Sequence, residues 1–296
     1  MGTLDSWPET GTETVLPMSD CRAGGSAGNS ALALAGINRP CLLISSAGND
    51  QIGLWLTSCF AHIDHKISVI DCATTISTGI VHTGGERTFF TSNGHLEQFS
   101  ITEIEELLTE CNIDKELVLL SGVFLSPPLR SRYSKLIDLL KTRGCRLAID
   151  PGWPPGGWDK ATRREILGWF SRCDHVLIND KEAAAITMET TPERCIAQLA
   201  KLLPETTVVI KNGKSGALAM ADKVLCYANS AEITPFDTIG AGDCFNAGYL
   251  HSVLLGEDLQ QNLHSGVVVA AAAIASFPRV YTLPETLDQP IMGEKH

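Results

Sequence analysis

Asp237-Thr238-Ile239-Gly240-Ala241-Gly242-Asp243, followed by the small and apolar run Cys244-Phe245-Asn246-Ala247-Gly248-Tyr249-Leu250, decides how the rest of the chain is read. Gly240 and Gly242 permit a tight turn whose backbone N–H groups can approach a ligand closely. The spacing predicts a helix over 241–255, so its positive end faces whatever sits on the turn, and the Asp243 carboxylate falls in its first turn. Such a site suits a phosphoryl group flanked by a base. Gly and Asp are also common at plain strand-to-helix connections. Two glycines, an acid and a following helix are a more specific combination, and they point to chemistry.

The chain has 296 residues, of which 44% are hydrophobic, enough to bury the core of one large α/β domain. A formal charge of −11 argues against a nucleic-acid surface and favours a small-molecule substrate. Ten cysteines are scattered with no C-x-x-C pair, and eight histidines show no ligand spacing, so the cysteines read as reduced core thiols and no metal centre is indicated. Residues 1–20 carry no apolar stretch of signal-peptide length, and the apolar run Val267 to Ala275 is too short to span a bilayer. The expectation is a cytoplasmic protein with no membrane partner.

From about Cys41 onward, short apolar runs alternate with helical patterns, the βαβ rhythm of a mostly parallel sheet covered on both faces. Strands are expected at 41–45, 117–121, 146–150, 175–179 and 206–211. Helices are expected at 101–111, 129–142, 161–170, 192–203, 241–255 and 259–275. Two stretches break the rhythm: 12–22, and 76–82 with 87–91, the latter pair joined by Gly84-Gly85-Glu86 as an antiparallel hairpin.

Three further motifs carry chemistry. Arg22-Ala23-Gly24-Gly25-Ser26-Ala27-Gly28-Asn29 places paired glycines before a helix, without the G-x-G-x-x-G dinucleotide spacing. Asn179-Asp180-Lys181-Glu182 follows a strand and opens a helix, a polar cluster where open α/β sheets bind ligands. Lys211-Asn212-Gly213-Lys214-Ser215-Gly216 contains G-K-S, but a P-loop requires Gly at the position held by Val208, so the Walker reading fails. Gly152-Trp153-Pro154-Pro155-Gly156-Gly157-Trp158 is a compositionally odd loop that either walls a pocket or covers the sheet edge.

Residues 237–243 resemble the C-terminal signature of the ribokinase family, also called the phosphofructokinase-B family, of sugar and nucleoside kinases. The resemblance runs from about Trp7 to Pro284 and implies one ribokinase-like three-layer α/β/α sandwich with a small β lid formed by 12–22 and 76–91. It implies an ATP- and Mg2+-dependent kinase acting on a hydroxyl of a sugar or related small molecule. Asp243 is then the base and Gly240, Ala241 and Gly242 the anion hole, with Gly242 also meeting the nucleotide phosphates. Gly24, Gly25 and Asn29 correspond to the substrate-binding G-G-x-x-x-N segment, and Asp243 contacts the same substrate. Asn179 and Glu182 correspond to the N-x-x-E motif that organises Mg2+ and phosphates, usually through water. Lys211, Gly213 and Gly216 lie on the turn beside ATP, and Gly85 to Phe89 on a lid element that approaches substrate. Asp237 and the backbone of Ile239 occupy positions that hold a monovalent cation such as K+ in some members. The family also implies a lid-edge homodimer.

The chain departs from this pattern in four places. The family begins with a strand carrying a sugar-binding Asp, which here would fall upstream of Met1; Asp5 is close but misplaced. The adenine region carries Gly266-Val267-Val268, with little hydrogen-bonding capacity. The loop Ser276-Phe277-Pro278-Arg279 lacks the usual Gly, which puts K+ dependence in doubt. Asp150-Pro151-Gly152-Trp153 lacks the Arg that would bind an acidic sugar. A nucleoside acceptor, and a non-catalytic ligand-binding relative that keeps the fold, are the competing readings.

Overall fold

Apolar runs and amphipathic stretches alternate as strands and helices in the computed structural model of the chain, which describes residues 2–4, 6–82, 87–277 and 279. The strands are β1 (Gly2–Leu4), β2 (Leu42–Gly48), β3 (Asp64–Ile70), β4 (Ser77–His82), β5 (Arg87–Thr91), β6 (Leu117–Ser121), β7 (Arg146–Asp150), β8 (His175–Asn179), β9 (Thr207–Lys211), β10 (Ala217–Ala221) and β11 (Val224–Ala228). The α-helices are α1 (Ser26–Gly36), α2 (Gln51–Cys59), α3 (Ile101–Thr109), α4 (Pro127–Ser131), α5 (Tyr133–Thr142), α6 (Lys160–Phe170), α7 (Asp180–Thr187), α8 (Pro192–Leu202), α9 (Ala241–Leu255) and α10 (Leu259–Ala275).

The main sheet runs β11-β10-β9-β8-β7-β6, parallel from β6 to β9 and antiparallel from β9 to β11. Successive side chains of a strand face opposite sides, and the two faces have separate cores. Leu147 and Ile149 of β7, Val176 and Ile178 of β8 and Val208 and Ile210 of β9 pack with residues of α3, α5, α6 and α8. Ala148, Leu177 and Val209, the alternate residues of the same strands, pack with Phe245, Tyr249 and Leu250 of α9 and with Leu263 and Val267 of α10. This is the three-layer α/β/α sandwich expected from the alternating pattern.

Several boundaries differ from the sequence expectation. The helix expected at 129–142 is two helices, broken at Arg132, whose φ of −121° is not helical. The pair at 76–91 is the antiparallel ladder of β4 and β5; its turn, 83–86, lies outside the described residues, as do Asp5, Pro278 and Pro284. Residues 12–22 form no strand and contribute one isolated bridge, from Ser19 to Gly2. The third strand of the small sheet is β1, parallel to β4. The reason is local. Leu4 is buried, whereas Val15 is 86% exposed, so the 12–22 stretch has no alternating apolar face to pair with.

β2 and β3 form a parallel pair of their own, separate from the main sheet. Helix α1 packs on both β2 and β6. β6 is therefore an edge, although its sequence LVLLS reads as an interior strand. The hydroxyls of Ser46 on β2 and Ser121 on β6 are buried with no hydrogen-bond partner among the described residues. An edge strand of a parallel sheet leaves alternate amides unpaired. In hydrogen-exchange mass spectrometry, β8 and β9 should be among the slowest-exchanging segments of the chain, while about half the β6 amides exchange well before them. Uniform protection across β6 to β9 would contradict this edge assignment.

Candidate active site

Three adjacent parallel strands end on polar residues: β7 on Asp150, β8 on Asn179 and β9 on Lys211. The carboxyl ends of parallel strands are where ligands bind in such sheets. Lys211 Nζ donates to Asp150 Oδ2 at 2.7 Å and to Asn246 Oδ1 at 3.2 Å, and Asn246 Nδ2 donates to Asp150 Oδ2 at 2.6 Å. Asn246 stands one turn beyond Asp243 on α9, so this buried triangle ties the sheet to the helix that carries the acid.

Gly240 takes a left-handed conformation, φ 76°, as the N-cap of α9. This bend brings the helix start over Lys211: a Cβ added to Gly242 would lie 3.3 Å from its ammonium nitrogen. The first-turn N–H groups of a helix lack intrahelical acceptors, and here they sit beside a buried cation. An anion on the turn would thus meet backbone donors with a positive charge beneath them.

The Asp243 carboxylate accepts a hydrogen bond from Asn29 Nδ2 at 2.7 Å, and its carbonyl accepts one from Ser30 Oγ at 3.2 Å. Asn29, expected as a substrate contact, is in this structure the group that orients Asp243. Burial, with Asp150 as the lesser cause, pushes the Asp243 carboxyl up to about 7 against the opposing effects of Asn29, Lys211 and Arg279. Gly24 and Gly25 stand at the start of α1 with open space where a side chain would go, and Gly25 has φ 80°. The first turns of α1 and α9 therefore converge on one floor, with Asp243 between them.

Asn179 and Glu182 form a reciprocal capping box: Asn179 Oδ1 accepts from the Glu182 N–H at 2.8 Å, and Glu182 Oε2 accepts from the Asn179 N–H at 2.9 Å. The box fully explains the start of α7 and leaves the second Glu182 oxygen without a hydrogen bond among the described residues. Burial, and then the neighbouring charge of Asp150, raise the Glu182 carboxyl above its ordinary range. Among the described residues no three acidic, His or Cys side chains form a cation cage. Mg2+ keeps several waters and uses one or two carboxylates plus phosphate oxygens, and buried Glu182 beside Asp150 fits that mode.

Gly213 (φ 53°) faces open space, whereas a Cβ on Gly216 would collide with the Ala228 carbonyl oxygen at 1.9 Å. Gly216 is thus accounted for by the close approach of β11. Lys211, expected beside ATP, is bonded within the Asp150 and Asn246 triangle beneath Gly242. Gly266 packs against Phe245 and Val267 is buried, so both belong to the α9 and α10 interface. Trp158 packs on Phe124, with ring centroids 5.8 Å apart, while Trp153 is half exposed. Lid strand β4 reaches the turn, since a Cβ on Gly79 would lie 3.2 Å from Ile239 Cδ1.

Sequence reasoning missed Asp150, Asn246, Arg22 and Arg279. The available signal was that Asp150, Asn179 and Lys211 all end apolar runs. Asp237 binds arginines: its Oδ2 accepts from Arg22 Nη2 and from Arg279 Nη2.

A profile of the pfkB family carbohydrate kinases matches residues 17–285, and the chain belongs to that family. It is 26% identical over 253 residues to a fructokinase of Salmonella typhimurium, covering 81% of this chain and 80% of that protein. Its fold is similar to the crystal structure of a putative ribokinase II from E. coli in complex with ATP and Mg2+, with TM-score 0.77, 21% identity and coverage of 95% and 93% of the two chains. It is also similar to a fructokinase double mutant from Vibrio cholerae in fructose-, ADP- and potassium-bound form, with TM-score 0.73, 20% identity and coverage of 86% and 84%.

Removing one member of a buried ion pair costs about 3–5 kcal/mol. Lys211→Met should lower unfolding free energy by an amount in that range in urea titrations, and Lys211→Met/Asp150→Asn should recover part of it. Loss below about 1 kcal/mol would show that the triangle does not hold α9 to the sheet.

Proposed function

We propose that this chain transfers the γ-phosphoryl group of ATP to a hydroxyl of a sugar, with Asp243 as general base. The observation that carries the reading is the half-buried Asp243 carboxylate, oriented by Asn29, at the mouth of a glycine turn that overlies Lys211. ATP with Mg2+ supplies the activated phosphoryl group and neutralises part of its charge. Asp243 accepts the proton of the acceptor hydroxyl as its oxygen forms the new O–P bond and the bond to the ADP leaving oxygen breaks. The N–H groups of Gly240, Gly242 and Asp243 would face the anion, that of Ala241 donating instead to the Thr238 carbonyl at 3.2 Å, and Lys211 adds positive potential beneath them. Asn179 and Glu182 would hold the hydrated metal. Strand β4, in contact with Ile239, places the lid where it limits water at the turn.

The curated relative named fructokinase supports a sugar over a nucleoside as acceptor, and the retained base argues against a non-catalytic relative. ADP release with Mg-ATP should be stimulated by a hexose or pentose more than by nucleosides, and Asp243→Asn should lower kcat by ~10²–10⁴-fold. Turnover with nucleosides alone would replace the sugar reading, and ATP binding without transfer to any acceptor would defeat the kinase reading.

The elevated Asp243 carboxyl has two consequences with definite signs. As the base must be ionised, kcat/KM should fall tenfold per pH unit below about 7. The folded state also holds this proton more tightly than the unfolded chain does. Its stabilising contribution is therefore full below about pH 4 and is lost as pH rises toward 7. Asp243→Asn removes that loss, so the variant should gain melting temperature relative to the parent between pH 5 and 8. An unchanged difference across that range would contradict the burial of the carboxyl.

A further inference from the structure

Asp237 opens the anion turn, and both of its carboxylate oxygens are engaged. Oδ1 accepts from the Ile239 N–H at 2.9 Å. Oδ2 accepts from Arg22 Nη2 and, at 2.8 Å, from Arg279 Nη2; the same Arg279 nitrogen donates to the Asp237 carbonyl at 3.0 Å. The side chains of Asp237 and Arg279 are only 3% and 4% exposed. The other end of the guanidinium reaches the far side of the turn, where a Cβ on Gly240 would lie 3.1 Å from Arg279 Nη1. One planar cation therefore holds the Asp237 end of the turn and lies against its Gly240 end.

The Asp237 carboxylate is one of the two groups that the sequence resemblance offered to a monovalent ion, the other being the backbone of Ile239, and here its Oδ2 is committed to two arginines and its Oδ1 to the Ile239 N–H. A K+ ion there would have to displace a buried, multiply bonded guanidinium while facing a second guanidinium, Arg22, on the same carboxylate oxygen. Like charges at that range repel, and more strongly where solvent is excluded. K+ does not fit. Guanidinium also differs from an alkali ion in being covalently attached and permanently charged, so its occupancy does not depend on the surrounding salt.

We propose that Arg279 is a built-in cation that positions the 237–240 turn, and that it makes the reaction of this chain independent of K+. The inference rests on the kinase reading above. Arg279 is a positioning residue: it touches Asp237 and approaches Gly240, and acts on the phosphoryl group through the turn that they hold. Its charge also favours the ionised form of Asp243, the direction a base requires.

The test is ADP release by the full chain with Mg-ATP and a responsive sugar, in buffer whose only monovalent cation is choline, with and without KCl. The parent should change by less than about twofold on adding K+. Arg279→Ala should lose about tenfold or more in kcat, with the sugar KM little changed, and should recover part of it with guanidinium chloride or KCl. A solely structural arginine would show no such rescue. Arg279→Lys, which keeps the charge, should retain more activity than Arg279→Gln, and this pair serves if Arg279→Ala does not fold. Tenfold activation of the parent by K+, or full activity of both neutral variants in choline, would overturn the inference while leaving the kinase reading intact. Silence of the parent with every acceptor would instead defeat the kinase reading. Thermal melting then decides the cation question: low guanidinium or K+ should raise the melting temperature of the neutral variants and not that of the parent, and equal shifts would overturn the inference.

Discussion

The ammonium of Lys211 joins sheet to helix. It closes a triangle with Asp150 at the end of β7, two strands away, and Asn246 on α9, and Asp150 Oδ2 receives both nitrogens. Burying such a pair costs desolvation free energy, which is offset only where each polar atom finds a partner in good geometry. The constraint passes upward into the sequence of the turn. With the ammonium 3.3 Å from the Cβ position of residue 242, any side chain there would press on the cation, and glycine is the residue that fits without displacing it. Gly240 adds the left-handed bend that lets the helix begin at that height. The position of the Asp243 carboxylate follows from these two glycines and from Asn29 on α1.

Charge is distributed unequally around this point. On the sheet side, Asp150, Glu182 and Asp243 surround a single ammonium, and the crowding contributes to holding Glu182 and Asp243 above the ordinary carboxylate range. On the other side of the turn, one carboxylate, Asp237, is shared by two guanidiniums. The two flanks of one turn thus carry opposite excesses, three carboxylates about one ammonium on the sheet side and two guanidiniums on one carboxylate on the other.

The elements that could be read from the chain have self-contained signals. β7 and β8 each hold three consecutive apolar residues between polar ones, and α9 is bounded by left-handed glycines, Gly240 and Gly256, that mark both ends. α2 and β3 carry no such signal: α2 buries only Gly53, and β3 mixes Asp64, His65 and Lys66 with its apolar residues. β1 is three residues long and owes its pairing to β4, about eighty positions away. The site divides the same way. Gly240, Gly242 and Asp243 are contiguous and declare an anion turn by themselves. Asp150 acquires its role from a lysine 61 positions later, and Arg22 from an aspartate 215 positions later. Such partners become neighbours only through the fold, so local pattern could not name them.

Helix α1 presents Asn29 to the base, packs against α9, and bridges β2 and β6, strands that belong to separate sheets. The orientation of the Asp243 carboxylate is thereby tied to the seam between two separately hydrogen-bonded sheets. Any loosening of that seam would reach Asp243 through α1 without first disturbing the interior strands β7 to β9. On warming, the surroundings of Asp243 should accordingly change before secondary structure is lost.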